Sequence, residues 1–179
     1  MNLPWAKPVL DFWFGEAKGQ WWRGPPDLDA EIRTRFEELW HRERHRTPGE
    51  LLAAPEDALA AVILFDQFPR NMFRGHADQF STDSLALAVA KGAVANGYDD
   101  GMTPDQRAFL YMPFEHSEVL ADQRQSLLLF TALGDAELLH FARLHHDIIE
   151  RFGRFPHRNA ILGRKPTAIE AAAGEVVPW

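Results

Sequence analysis

The stretch Asp27-Leu28-Asp29-Ala30-Glu31-Ile32-Arg33-Thr34-Arg35-Phe36-Glu37-Glu38-Leu39-Trp40 decides the fold class. Leu28, Ile32, Phe36, Leu39 and Trp40 fall on one stripe of a 3.6-residue helix, and Arg33, Glu37 and Arg44 fall on its charged side. Asp27 is placed to cap the first turn, because its carboxylate can accept from the orphan amides there. The same periodicity continues in both directions and strand alternation is nearly absent. Upstream, Val9, Leu10, Trp13 and Phe14 mark a helix from about Ala6 to Phe14, with Gly15 as its stop.

Downstream, Thr47-Pro48 starts a turn, and Pro55 opens a helix carrying Leu59, Val62, Ile63 and Phe65 that Pro69 should end. Phe80-Ser81-Thr82-Asp83 caps an Ala-rich helix ending at Asn96-Gly97. Thr103-Pro104 opens the next, which Pro113 must kink or break before it continues towards Leu133. Gly134-Asp135 separates it from a helix of Ala136 to Phe152, stopped by Gly153, and Thr167 with Glu170 forms a capping box for a short last helix. The apolar end Val176-Val177-Pro178-Trp179 is expected to dock on the body. The sequence therefore predicts an all-α fold, an antiparallel helical array forming a single domain over residues 1–179.

Composition sets the outer limits. The 179 residues are 46% hydrophobic and 25% charged, an ordinary globular mix. No apolar run is long enough for a membrane span, and Met1-Asn2-Leu3-Pro4-Trp5 lacks the basic and apolar regions of a signal peptide. The absence of Cys rules out disulfides, thiolate nucleophiles and zinc–thiolate sites. A soluble, cytoplasmic protein is the expectation. The net charge of −7 argues against nucleic-acid binding, which needs a basic face. Arg outnumbers Lys by 15 to 4, a bias that fits a need to grip carboxylate or phosphate but that a GC-rich genome explains better.

Two segments do not read as connectors. Asp66-Gln67-Phe68-Pro69-Arg70-Asn71-Met72-Phe73-Arg74-Gly75 follows one helix. Arg151-Phe152-Gly153-Arg154-Phe155-Pro156-His157-Arg158-Asn159, running on to Gly163-Arg164, follows another. Burial of the Phe rings draws the neighbouring guanidinium groups out of water, where each needs an acidic partner or an anionic ligand. Glu115, Glu118 and Asp122, at i, i+3 and i+7, share a helix face with Tyr111 and supply carboxylates. His116 falls instead on an apolar face with Met112, Val119, Leu120 and Phe130. The expectation is that both Phe-Pro segments meet against the carboxylate face, bringing Arg70 or Arg154 to Glu115, Glu118 or Asp122.

Three motifs carry a family resemblance: Ile63-Leu64-Phe65-Asp66-Gln67-Phe68-Pro69-Arg70-Asn71, Phe109-Leu110-Tyr111-Met112-Pro113-Phe114-Glu115-His116-Ser117-Glu118, and Arg151 through Asn159 as quoted above. With the opening Val9-Leu10-Asp11-Phe12-Trp13-Phe14-Gly15, they resemble the bacterial family of unknown function called DUF924. The resemblance covers nearly the whole chain. It implies a helical fold related to tetratricopeptide-repeat proteins and no established activity. The family's usual Ser-Thr opening of the last helix is here Pro166-Thr167.

Two functional readings follow from the residues. In the first, a polar cleft binds or converts a small anionic molecule. Arg70, Arg74, Arg154, Arg158 and Arg164 grip it beside Asp66, while Asn71, Tyr111 and Asn159 add hydrogen bonds. Glu115, Glu118 or His157 then serves as acid or base. In the second, the arginines and carboxylates form a structural network, and the chain is a helical-repeat-like module for protein contacts. A metal centre using Glu115, Glu118, His116, His145 or His157 lacks the second Glu-x-x-His element that bundle sites need, so no metal is expected. Nor is a cofactor: there is no Gly-rich phosphate loop, Ser-His-Asp pattern or zinc-protease helix.

Overall fold

The computed structural model describes residues 3–174 and 176, and among them every regular element is helical. The helices are α1 (Ala6–Asp11), α2 (Pro26–Glu43), α3 (Pro55–Val62), α4 (Phe68–Met72), α5 (Asp83–Ala95), α6 (Pro104–Glu115), α7 (Leu120–Leu133), α8 (Ala136–Phe152) and α9 (Ala168–Ala173). No described helix is long and apolar enough to cross a membrane. Of the apolar C-terminal stretch, Val177–Trp179 lies outside the described residues. The chain forms two compact units, Met1–Pro113 and Phe114–Trp179, with no Gly- or Ser-rich linker at their boundary.

In the first unit, α2 begins one residue before Asp27. Pro26 occupies the first turn, where its missing N–H costs nothing, and Asp27 and Asp29 lie at the positive end of the helix dipole. Leu28, Ile32, Phe36 and Trp40 are buried as the stripe requires. Gly15 does not stop the first helix: the chain runs on through a widened turn, Phe12–Glu16, in which the Ala17 amide reaches back five residues to the Phe12 carbonyl at 2.9 Å. A second turn of this π type, Ile63–Gln67, joins α3 to α4.

That second turn explains why Pro69 does not end its helix. A proline in a helix leaves the carbonyl four residues earlier without a donor. Here that carbonyl, on Phe65, accepts from the Thr82 hydroxyl at 2.6 Å, and Thr82 in turn accepts from the Trp40 indole at 3.1 Å. Thr82 is spent on this buried bridge rather than on capping α5. Around it the core is a nest of rings: Phe36 lies 4.7 Å from Phe68, Phe12 5.1 Å from Phe36, and Trp13 5.6 Å from Phe68. Trp22 lies outside this nest: it is 66% exposed, stacked on Phe109 at 5.6 Å.

The second unit is built on the hairpin of α7 and α8, turned at Gly134 in the left-handed region (φ 82°). Asp135 caps α8 by accepting from the Glu137 and Leu138 amides, and Gly153 ends it at φ 71°. Thr167 and Glu170 form the expected capping box on α9. The helix expected from Thr103 towards Leu133, kinked or broken at Pro113, is two helices with the break elsewhere. Pro113 is accommodated within α6, and the break comes afterwards, at residues 116–119. Gln123 closes this joint: its side-chain amide donates to the Glu115 carbonyl at 2.6 Å and the Ser117 carbonyl at 2.7 Å, taking up carbonyls that a helix end leaves open. Glu118 and His116 therefore lie on a joint, not on helix faces, and the three-carboxylate stripe does not form as one face.

Candidate functional site

Three arginines of the two Phe-Pro segments, Arg70, Arg74 and Arg154, find carboxylates at the first turns of helices. In the first unit, Arg70 on α4 makes a two-pronged contact with Asp83, the first residue of α5, at 2.8 and 3.0 Å. Its Nη1 also donates to the carbonyl of Asp66 at 2.6 Å and lies 3.3 Å from the Asp66 carboxylate, which is fully buried. Arg74 takes Asp29, in the first turn of α2, at 2.8 and 3.0 Å, and Asn71 donates to the same carboxylate at 2.8 Å. Tyr111 donates to Asp99 at 2.6 Å. Burial, reinforced by the Asp99 charge, pushes this hydroxyl well above the ordinary tyrosine range.

In the second unit, Arg154 does not reach Glu115, Glu118 or Asp122. It grips Glu170, in the first turn of α9, with Nε and Nη2 both at 2.7 Å, and Nη2 also donates to the Lys165 carbonyl at 2.6 Å. The Thr167 amide and the Asn159 side-chain amide add donors to Glu170 at 2.6 and 3.1 Å. The Arg154 fork outweighs burial and, with these amides, holds the Glu170 carboxyl at about 2. That value lies below the ordinary 4.5, so the ionised carboxylate stabilises the fold. Its contribution is complete above about pH 4.5 and is lost as the pH falls towards 2. Glu170→Gln is therefore expected to flatten the fall in melting temperature over that window, read by circular dichroism at fixed ionic strength.

Glu118 pairs with Arg164. Arg164 Nη1 donates to Oε2 at 2.7 Å, Nη2 donates to Oε1 at 3.0 Å, and the Phe155 amide donates to Oε1 at 2.7 Å. Burial raises the Glu118 carboxyl, but these donors together outweigh it and hold the group below the usual carboxylate range. Arg158 is buried; its Nη2 donates to the His116 carbonyl at 3.1 Å and its guanidinium lies over the Phe155 ring at 4.4 Å. Beside them His157 is half-buried. Burial first, and then the positive charge of Arg158, push its imidazole down to about 4, so the ring is neutral near pH 7.

Glu115 meets His145, with Nδ1 2.8 Å from Oε1 and 2.8 Å from the Phe141 carbonyl. A ring nitrogen between two acceptor oxygens carries a proton, so Nδ1 is the donor to both. Asp122 accepts from the Ser117 hydroxyl at 2.7 Å, fixing the start of α7. Glu115, Glu118, His157, Arg158, Asn159 and Arg164 thus lie in one polar centre of the second unit, with Arg154 at its edge. Asp66, Arg70, Asn71, Arg74 and Tyr111 belong to the first unit.

Sequence reading assigned no site role to Asp29, Asp83, Asp99, Glu170 or Gln123, although it placed Asp83 and Glu170 at helix starts. Three of these carboxylates carried a legible signal, since Asp29, Asp83 and Glu170 are acidic residues in helix first turns, where the dipole favours an anion that an arginine can then reach. As for metal ligands, among the described residues His146, Asp147 and Glu150 on α8 bring donor atoms within 4.8 Å of one another, but the two carboxylates are exposed, and exposed acidic groups are common without an ion.

Among curated proteins, none matches the chain. A solved structure of a protein of unknown function from Agrobacterium tumefaciens is similar to it at 39% identity, with a TM-score of 0.87, over 94% of this chain and 95% of that one. Residues 9–173 match the family described as bacterial protein of unknown function, DUF924. With all four sequence motifs inside that span, and a likeness over nearly the full length of a solved relative, the chain belongs to the DUF924 family.

Proposed function

We propose that the polar centre of the second unit binds a small anionic molecule, with Arg158, Arg164 and His157 as its contacts and Glu118 or Glu115 available for proton transfer. The observation that carries this reading is the state of His157. Burial first, and then the charge of Arg158, with Arg164 adding to it and Glu118 opposing, hold its imidazole neutral, so positive charge outweighs negative around the ring. An anion entering that field relieves the repulsion and gains guanidinium donors.

The test is a titration of the His157 ring followed by nuclear magnetic resonance, with and without phosphate, sulfate or a dicarboxylate. The ring should titrate near 4 in the free protein and at least one pH unit higher with a bound anion. Because the folded value lies below the ordinary 6.5, the folded state binds fewer protons. Its stability falls between about pH 6.5 and 4, by roughly 1–2 kcal/mol after allowing for the ring's partial access to water. A ligand at 100 times its dissociation constant adds about 2.7 kcal/mol and raises the melting temperature beyond a chloride control. No anion-specific shift in either measurement would end this reading.

A second reading is favoured by a different observation: Arg70, Arg74, Arg154 and Arg164 each meet a carboxylate of their own unit through two nitrogens. Under it the network locks the helices, and the family's role is a protein contact made elsewhere on the surface. Arg154→Ala then destabilises the protein with no ligand present, and no anion in a broad panel stabilises the wild type.

A further inference from the structure

The pair formed by Glu118 and Arg164 is asymmetric. Arg164 is fixed by groups other than Glu118: Nε donates to Asn159 Oδ1 at 2.9 Å, Nη2 donates to the Phe155 carbonyl at 2.9 Å, and the Arg164 amide donates to the Asn159 carbonyl at 2.8 Å. Asn159 is itself held by Glu170, which Arg154 and Thr167 anchor. Glu118 reaches this assembly from the four-residue joint at 116–119, outside any helix, and its side chain is 29% exposed. Removing its carboxylate would leave the fork of Arg164 and the Phe155 amide still aimed at the same point.

We propose that Arg164 and the Phe155 amide form a receptor for a carboxylate, that Glu118 fills it from within, and that a small carboxylate ligand enters by displacing Glu118. This rests on the anion-site reading above and assigns it a ligand class. The donors suit a planar two-oxygen group: the parallel guanidinium nitrogens address one oxygen each, and the amide adds a second donor to one of them. A tetrahedral phosphate would present further oxygens beyond the two that these three donors address.

Glu118 is a tethered competitor, so its removal should tighten binding of an external carboxylate by its effective concentration relative to its own dissociation constant. The probe is propionate, titrated calorimetrically into the full chain, with the Phe155 amide resonance as a second readout. The expected result is weak, saturable binding to the wild type, about tenfold or more tighter binding to Glu118→Ala, and none when Arg164→Gln is added. Glu118→Gln, which keeps the shape of the side chain, should fall between wild type and alanine and serves if the alanine variant fails to fold. Equal affinities in wild type and both Glu118 variants would overturn the displacement. So would binding confined to the variants, because Glu118 would then be a permanent structural partner. If the wild type binds phosphate or sulfate with a shift of His157 but propionate does not compete with Glu118, only this inference fails. If no anion binds the wild type, the anion-site reading fails with it.

Discussion

Gln123→Leu is expected to lower the stability to urea unfolding by about 2–4 kcal/mol, although it removes neither a charge nor much volume. The side chain is fully buried, and its amide donates to two carbonyls at the joint between α6 and α7. A buried carbonyl left without its donor, as at Glu115, costs roughly 1–3 kcal/mol, and the part-buried one at Ser117 costs less. The leucine recovers part of this, because Gln123 Oε1 finds no donor of its own among the described residues. Gln123→Glu should be worse than leucine: a carboxylate cannot donate, and it sets its lone pairs against both carbonyls. A loss below about 1 kcal/mol for leucine would mean that water, not Gln123, satisfies the joint.

Thr82→Val is expected to cost about 2–3 kcal/mol while preserving shape and volume. The hydroxyl is the middle of a buried chain from the Trp40 indole to the Phe65 carbonyl, and valine leaves both ends without a partner. Thr82→Ser supplies the control. It keeps the hydroxyl and loses one methyl, worth about 1 kcal/mol. If valine and serine were equally destabilising, the hydroxyl would contribute nothing to holding the proline-bearing turn.

Most of the fold is legible in the sequence because helix periodicity and its stop signals are local. The helix of Ala136 to Phe152, with Asp135 before it and Gly153 after it, and the Thr167–Glu170 box are found where the residues place them. What escapes is whatever depends on distant partners. Pro69 reads as a terminator because its rescue comes from Thr82, thirteen residues away. Pro113 reads as the point of breakage, whereas the break waits until residues 116–119, where Gln123 returns to close it. The site follows the same division. Residue type singles out Glu115, Glu118, His157, Arg158, Asn159 and Arg164, which lie in one centre, but it also assigns to the same cleft Asp66, Arg70, Asn71, Arg74 and Tyr111, which belong to the first unit, and the partner of Arg154 could not be chosen from sequence spacing. An ion pair between residues 16 apart leaves no periodic trace.

The widened turn at Ile63–Gln67 also makes the chain intolerant of one particular edit. Its hydrogen bond from the Phe68 amide to the Ile63 carbonyl spans one more residue than an α-helical bond does. Deleting any single residue there would let the backbone close into an ordinary helix, with every bond made but the one that Pro69 cannot donate. It would also rotate all that follows by about 100° against all that precedes. Phe68 would swing out of the ring nest and Arg70 away from Asp83, with no side chain outside the turn altered. The phase between α3 and α4 is thus carried by chain length, and a change of one residue at this point acts as a gear slipping one tooth.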